Sequence, residues 1–96
     1  GEVAMDAEMR ERLSLAGLTG SDLDWLESFG CDDARVPKPR ASEIADYRRR
    51  EAALNASVAA LTFAERGESR EGRLAAAIGA KVADAEDEAQ GADGED

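Results

Sequence analysis

Two groups of charged residues in this chain have types and spacings that suit a chemical function. Three consecutive arginines, Arg48, Arg49 and Arg50, form a basic patch that could bind nucleic-acid phosphates or the carboxylates of an acidic partner. The second group is a predicted acidic surface that could imitate a phosphate backbone; it comprises Asp22, Asp24, Glu27, Asp32 and Asp33. Both groups act through charge, so the chemistry they offer is binding.

The residues needed for common catalytic and metal sites are scarce. The chain has no histidine and a single cysteine, Cys31, so it lacks the base of a Ser-His-Asp or Cys-His pair and the thiols of a zinc site. Acidic neighbours at Asp32 and Asp33 disfavour a reactive thiolate. The acids at 86–88 lack the spacing of an EF-hand loop. We therefore predict no enzymatic activity, no catalytic residue, no metal and no cofactor.

The charge is distributed in three blocks. The net charge is −10, made of −7 over residues 1–34, +4 over 35–83 and −7 over 84–96. The simplest expectation for the three arginines is therefore pairing with acids of the same chain. Nucleic acid is not the expected partner, although weak binding through Arg48, Arg49 and Arg50, with the acidic end as a competitor, is an alternative.

The longest helical pattern, over residues 41–66, positions these arginines. One arc of this helix collects Ile44, Tyr47, Leu54, Val58 and Leu61. A second apolar arc collects Ala52, Ala56, Ala59, Ala60 and Phe63, as expected for a helix packed between two neighbours. Ser42 can cap its start, and Gly67 can end it. The pattern predicts one helix of about 25 residues, roughly 37 Å long.

A second long helix is predicted over residues 68–88. Leu74, Ile78 and Val82 recur every four residues, and Gly72 and Gly79 lie on a face of small residues that permits close packing. The simplest arrangement is an antiparallel hairpin with the central helix. The remaining residues, 89–96, have no apolar period and are expected to be a disordered acidic tail.

The N-terminal third predicts a shorter helical hairpin. Met5 and Met9 lie on a stripe of a helix over 2–16 that Gly17 ends, and they are either an adaptable docking face or ordinary core. Trp25 and Phe29 lie on a second helix, which Ser21 and Asp24 are expected to cap. These two aromatic residues either anchor the hairpin onto the central helix or provide an exposed hot spot for a partner. Helix-turn-helix spacing is present, but the acids of the second helix oppose DNA binding.

The predicted fold is therefore all-α. It consists of an N-terminal helical hairpin over 1–30, an extended proline-containing linker over 31–41, a longer antiparallel helical hairpin over 42–88 and the acidic tail over 89–96. The linker is expected to be stiff because Pro37 and Pro39 flank Lys38, and its simplest role is that of a spacer.

The apolar content indicates a small core. Twenty of the forty-one hydrophobic residues are alanine, which favours helix formation but adds little side-chain volume. We therefore expect a protein partner or a second copy to complete the core. The predicted partner-binding residues are Met5, Met9, Trp25, Phe29, Tyr47, Leu74, Ile78 and Val82.

These features together indicate a small acidic interaction or assembly protein, a subunit or adaptor of a larger complex. The bias toward alanine, arginine, glycine and aspartate indicates a GC-rich genome, and a bacteriophage or virion-type particle is one such setting. The first alternative is an inhibitor that mimics nucleic acid and blocks a nucleic-acid-binding enzyme. The single cysteine favours a reducing compartment, so we expect a cytoplasmic protein or a particle assembled there. No apolar run reaches about 18 residues, so no membrane association is predicted.

Overall fold

The helices account for most of the chain and confirm the all-α class. The computed structural model describes residues 5–66 and 69–94, with side chains described up to residue 89, and no strand occurs in these ranges. The α-helices are α1 (Ala7–Ala16), α2 (Gly20–Ser28), α3 (Ile44–Ala59), α4 (Phe63–Arg66) and α5 (Arg70–Gly94). Two 3₁₀ turns, Asp33–Arg35 and Ala41–Glu43, lie between α2 and α3. Within the described ranges, none of the helices combines the length and apolar character needed to cross a bilayer.

The main layer of the fold is the antiparallel hairpin of α3 and α5, as predicted. Arg48 near the start of α3 pairs with Glu86 near the end of α5, whereas Ser57 near the end of α3 contacts Glu71 at the start of α5. Helix α1 packs against α3, and its Arg12 also reaches Glu71 of α5. The apolar core between these helices contains side chains that are essentially inaccessible to water: Leu13, Leu26, Leu54, Leu74 and Ile78.

Helix α1 begins later than the sequence pattern predicts and ends where it predicts. Asp6 is the N-cap, and its carboxylate accepts a hydrogen bond of 2.8 Å from the backbone N–H of Met9. The part of the predicted helix before Met5 lies outside the described residues. Gly17 ends the helix with φ of 118°, a conformation that favours glycine, and Leu18 N donates to Leu13 O at 3.0 Å.

Helix α2 is capped two residues earlier than predicted. Thr19 is the N-cap: its hydroxyl accepts from the N–H of Asp22, while the Asp22 carboxylate accepts from the N–H of Thr19 at 2.9 Å. The predicted cap formed by Ser21 and Asp24 is therefore wrong. Both pairs satisfy the local pattern, but only Asp22 also contacts the arginines of α3.

The single helix predicted over 41–66 is interrupted, which corrects the sequence interpretation. Helix α3 ends at Ala59, and α4 begins at Phe63 behind a capping box in which Thr62 and Glu65 exchange hydrogen bonds. The Arg66 guanidinium donates to the carbonyls of Ala59 and Leu61, which satisfies acceptors at the end of α3. The predicted terminator Gly67 lies outside the described residues.

The linker between the two hairpins packs against the fold and is not a free spacer. Its first 3₁₀ turn, Asp33–Arg35, contacts α5. Val36 is 2% exposed, and Pro39 is buried as well. Cys31 is buried in a left-handed backbone conformation with φ of 53°. The linker thus contributes side chains to the core.

Helix α5 continues to Gly94, beyond residue 88 where the sequence pattern ends it. Ion pairs from Lys38 to Glu88 and from Arg48 to Glu86 attach this part of the helix to the rest of the chain. The last two residues of the predicted acidic tail, 95–96, lie outside the described residues.

Candidate interaction surfaces

A buried carboxylate organises two of the three arginines. Asp22 is 1% exposed and accepts hydrogen bonds from both terminal nitrogens of Arg49 and from Nε of Arg50, each at 2.9 Å. Hydrogen bonding from Arg49 first of all, with help from Thr19 and Arg50, holds the pKa of this carboxyl far below its ordinary value, although desolvation acts in the opposite direction. The predicted position of Asp22 on an acidic surface is wrong, because this carboxylate is buried and joins α2 to α3 from inside the fold.

The aromatic residues of α2 pack beside this carboxylate. Trp25 lies edge-on to Phe29 and to Tyr47 of α3, with ring centroids 5.0 Å apart in each pair. The guanidinium of Arg50 lies over the Trp25 ring, 4.4 Å from its centroid. The Tyr47 hydroxyl donates to the carbonyl of Pro37 at 3.1 Å. Of the two predicted roles, these contacts favour the anchoring one: Trp25 joins α2 to Tyr47 of α3, and Phe29 packs against Trp25.

The third arginine also has an acidic partner, so the basic patch is occupied by the chain itself. Arg48 pairs with Glu86 of α5, and Lys38 of the linker pairs with Glu88. The partners of the arginines thus come from both acidic blocks of the sequence, because Asp22 belongs to the first and Glu86 to the last. Internal pairing of the patch, as expected from the charge distribution, is confirmed.

The other members of the predicted acidic surface do not form one cluster of free charges. Glu27 pairs with Arg10 of α1 at 2.6 Å, and Asp32 accepts from the N–H of Ala34 at 3.0 Å. Asp33 lies 3.8 Å from Nε of Arg73 in α5. Asp24 is exposed on α2. Three of these four carboxylates thus already have contacts within the chain.

Most of the predicted partner-binding residues lie inside the chain's own core. Met5 and Met9 are 6% and 5% exposed and pack in the same cluster as the buried residues of α5. Each of the following is at most 6% exposed: Phe29, Tyr47, Leu74, Ile78 and Val82. Trp25 is half-buried. A docking role for these residues remains a prediction, and the described surface does not present them as one apolar face.

A second buried carboxylate was not anticipated from the sequence. Glu71 is 2% exposed, and its Oε2 accepts from Nε and Nη2 of Arg12 at 2.9 and 2.8 Å. The hydroxyl of Ser57 donates to the same oxygen at 3.3 Å. This cluster joins α1, α3 and α5. The sequence gives little sign of this cluster. Glu71 stands out only as an acidic residue at the start of an apolar helix, and its partner Arg12 lies 59 residues away along the chain.

The apolar arc of α3 that was expected to face a second neighbour is open to solvent. Ala52, Ala56, Ala59 and Ala60 are all exposed. Two of them, Ala56 and Ala60, line a groove of about 350 Å³ between α3 and α1, together with Leu15 and Ala16. We refer to these four groove-lining residues as the α1–α3 strip: Leu15, Ala16, Ala56 and Ala60.

Two large apolar side chains mark this region. Leu15 of the α1–α3 strip is 82% exposed, and Phe63, three residues after Ala60, is 89% exposed. At the other side of Arg12 the groove adjoins a more polar one of about 490 Å³, whose lining includes Asp6 and Glu65. The helical spacing predicts the alanine arc, but the predicted packing of this arc against a second neighbour is wrong, because its alanines are exposed.

The described residues contain no group of three or more carboxylates or thiols arranged to hold a metal ion. Burial raises the pKa of the Cys31 thiol, which favours its neutral form. Every fully buried side-chain nitrogen or oxygen in the described part of the chain has a hydrogen-bond partner. No buried polar side-chain atom of the described residues is therefore left to bind a ligand. The feature of the described surface that invites a functional explanation is the α1–α3 strip.

Comparisons with protein-family models, with curated proteins and with solved structures give no match for this chain. Its function must therefore be argued from the surface itself.

Proposed function

We propose that this chain is a small non-enzymatic interaction protein that binds a protein partner through the α1–α3 strip, as a subunit or adaptor of a larger assembly. The observation that carries the proposal is the exposure of Leu15, at 82%, beside a groove lined by alanine methyl groups. A single exposed leucine is ordinary, but an exposed leucine that continues into an apolar groove is typical of an interaction surface.

The rest of the fold supports this proposal because the described part of the chain does not cover the strip. The large apolar side chains of α5 are covered by the chain itself, so the core does not need the strip for its closure. At the strip, α3 carries alanines that favour helix formation, and no other described part of the chain covers Ala56 and Ala60. A cytoplasmic particle, including one of phage or virion type, is the setting that the composition favours.

The two nucleic-acid alternatives receive less support from the contacts. A mimic of nucleic acid needs free carboxylates, whereas Asp22 is buried and Glu27 is paired with Arg10. A nucleic-acid binder needs free arginines, whereas Arg48 and Arg49 are paired with Glu86 and Asp22. Either function would require these internal pairs to exchange for external ones.

The test compares two variants that place the same charge at exposed alanines of different helices. Ala56→Glu introduces a carboxylate into the strip, and Ala76→Glu introduces one on α5, outside the groove lining. A photo-crosslinking side chain at position 15 would identify the partner in the native cell, and binding would then be measured with the purified partner. We expect Ala76→Glu to bind like the wild type and Ala56→Glu to lose binding.

Circular dichroism of both variants controls for folding. Because each replaced alanine is exposed, both variants should keep the helical content of the wild type. If the two folded variants bind the purified partner equally well, the strip is not the interaction surface and the proposal is wrong.

A further inference from the structure

We infer that the occupant of the α1–α3 strip is a basic amphipathic helix of the partner protein. This inference rests on the proposed function and specifies the chemistry of the partner. It is drawn from the shape of the groove and from the charges beside it.

The shape of the groove suits a helix. Its floor is lined by Ala16, Ala56 and Ala60, whose small side chains allow a third helix to approach α1 and α3 closely. Packed helices lie about 8–10 Å apart, and small residues at the contact give the shorter distance. An amphipathic helix presents large apolar side chains at three- and four-residue spacing, which can enter such a groove beside Leu15.

The charge beside the groove is negative. Glu8 and Glu11 precede Leu15 by seven and four residues, so they lie on the same face of α1. Both are exposed, and neither carboxylate has a hydrogen-bond partner within the described structure. The nearest cation of the groove lining, Arg12, is already paired with the buried Glu71. The face of α1 that carries Leu15 thus offers two carboxylates beside the groove to lysine or arginine side chains.

The same charges disfavour a second copy of this chain as the occupant. Each copy carries a net charge of −10, so two copies of this chain repel one another as they approach. Charges separated by less than the Debye length of about 8 Å at physiological salt repel with little screening. A cationic partner experiences attraction from the same groups.

The test uses a designed probe peptide of about 18 residues, with leucine at helical three- and four-residue spacing and lysine on the opposite face. One control peptide replaces every lysine by glutamate, and another scrambles the leucine positions so that no apolar face forms. Binding of dye-labelled peptides is measured by fluorescence anisotropy at about 0.15 M salt. We expect the amphipathic lysine peptide to bind about tenfold or more tightly than either control.

Matched variants separate the groove from general charge attraction. Glu8→Gln with Glu11→Gln should weaken binding of the lysine peptide about fivefold, whereas Asp84→Asn with Asp87→Asn, which removes the same charge from exposed positions of α5, should not. Ala56→Glu should abolish binding of the lysine peptide. Equal weakening by both double variants would show that only net charge matters and would overturn the inference.

Two further outcomes distinguish the inference from the proposed function. If Ala56→Glu loses the native partner while the lysine peptide binds no better than its controls, the strip is an interaction surface but its occupant is not a basic helix. If sedimentation shows a dimer of the wild type that Ala56→Glu dissociates, the occupant is a second copy and the inference is again overturned. Binding of the lysine peptide with the expected dependence on Glu8 and Glu11 supports it.

Discussion

Replacing the buried carboxylate of Asp22 by an amide should strongly destabilise the fold. In Asp22→Asn one acceptor oxygen becomes an NH₂ group, so the side chain can no longer accept from both the N–H of Thr19 and all three arginine nitrogens. Loss of the hydrogen bond from the backbone N–H of Thr19 costs about 1 kcal/mol. Loss of the charge beside Arg50, whose side chain is 16% exposed, costs about 1–2 kcal/mol.

The expected loss is therefore about 2–3 kcal/mol, a large part of the roughly 5–15 kcal/mol that stabilises a typical domain. Arg49 is left out of this figure because its side chain is half exposed and water can replace the carboxylate. The measurement is urea unfolding followed by circular dichroism. The matched control is Asp24→Asn, which changes the charge equally at an exposed position of the same helix and should stay within about 0.5 kcal/mol of the wild type.

The difference between wild type and Asp22→Asn should also depend on pH in a defined direction. The arginines, Arg49 first, lower the pKa of Asp22 in the folded state, so its stabilising effect is fully present above its unfolded pKa of about 3.9. The advantage of the wild type should be constant above about pH 5 and shrink as the pH falls below about 4. If Asp22→Asn matches Asp24→Asn in stability at neutral pH, the buried ion cluster does not hold α2 on α3 and the reasoning is refuted.

Three other substitutions test the packing of α5. Gly79→Ala should raise the free energy of unfolding by about 0.5–1 kcal/mol, because alanine has the higher helix propensity. The atom nearest to the new Cβ, at 2.7 Å, is a carboxylate oxygen of Glu51, whose flexible side chain can move away; a loss of stability would contradict this. Gly72→Ala should give no such gain, since its Cβ would lie 2.9 Å from the hydroxyl of Ser69 that caps α5, and urea unfolding of the two variants checks the contrast. Glu71→Ala should cost about 2–3 kcal/mol by leaving Arg12 without its buried partner; additive losses in a double-mutant cycle with Arg12→Ala would show that the pair is not coupled.

Local backbone rules explain which parts of the fold could be predicted from the sequence. Gly17 was identified as a helix end because its positive φ favours glycine, and the four-residue period of Leu74, Ile78 and Val82 identified the buried face of α5. The break before α4 carries a local signal too, the Thr62 and Glu65 capping box. Periodicity hid that signal, because the apolar arc continues through it.

The buried charges and the open strip could not be predicted in the same way. Thr19 with Asp22 and Ser21 with Asp24 offer similar capping patterns, and the feature that distinguishes Asp22, its contact with Arg49 of α3, lies outside any local window. Glu71 is buried only because Arg12 reaches it from α1. The alanine arc of α3 was expected to be buried, but alanine occurs both in cores and on surfaces, so its spacing alone does not decide between them. Its exposure depends on how much of α3 is covered by α1.

The position of Trp25 gives this protein an optical signal of its own. It is the single tryptophan of the chain, and its ring contacts α3 through Tyr47 while the Arg50 guanidinium lies over it. Its intrinsic emission therefore reports whether the N-terminal hairpin is seated on the long hairpin, whereas the helical dichroism signal reports all the helices together. Coincident transitions of these two signals would mean that the N-terminal hairpin and the long hairpin unfold as one cooperative unit, although the core between them is small and contains the buried carboxylates of Asp22 and Glu71.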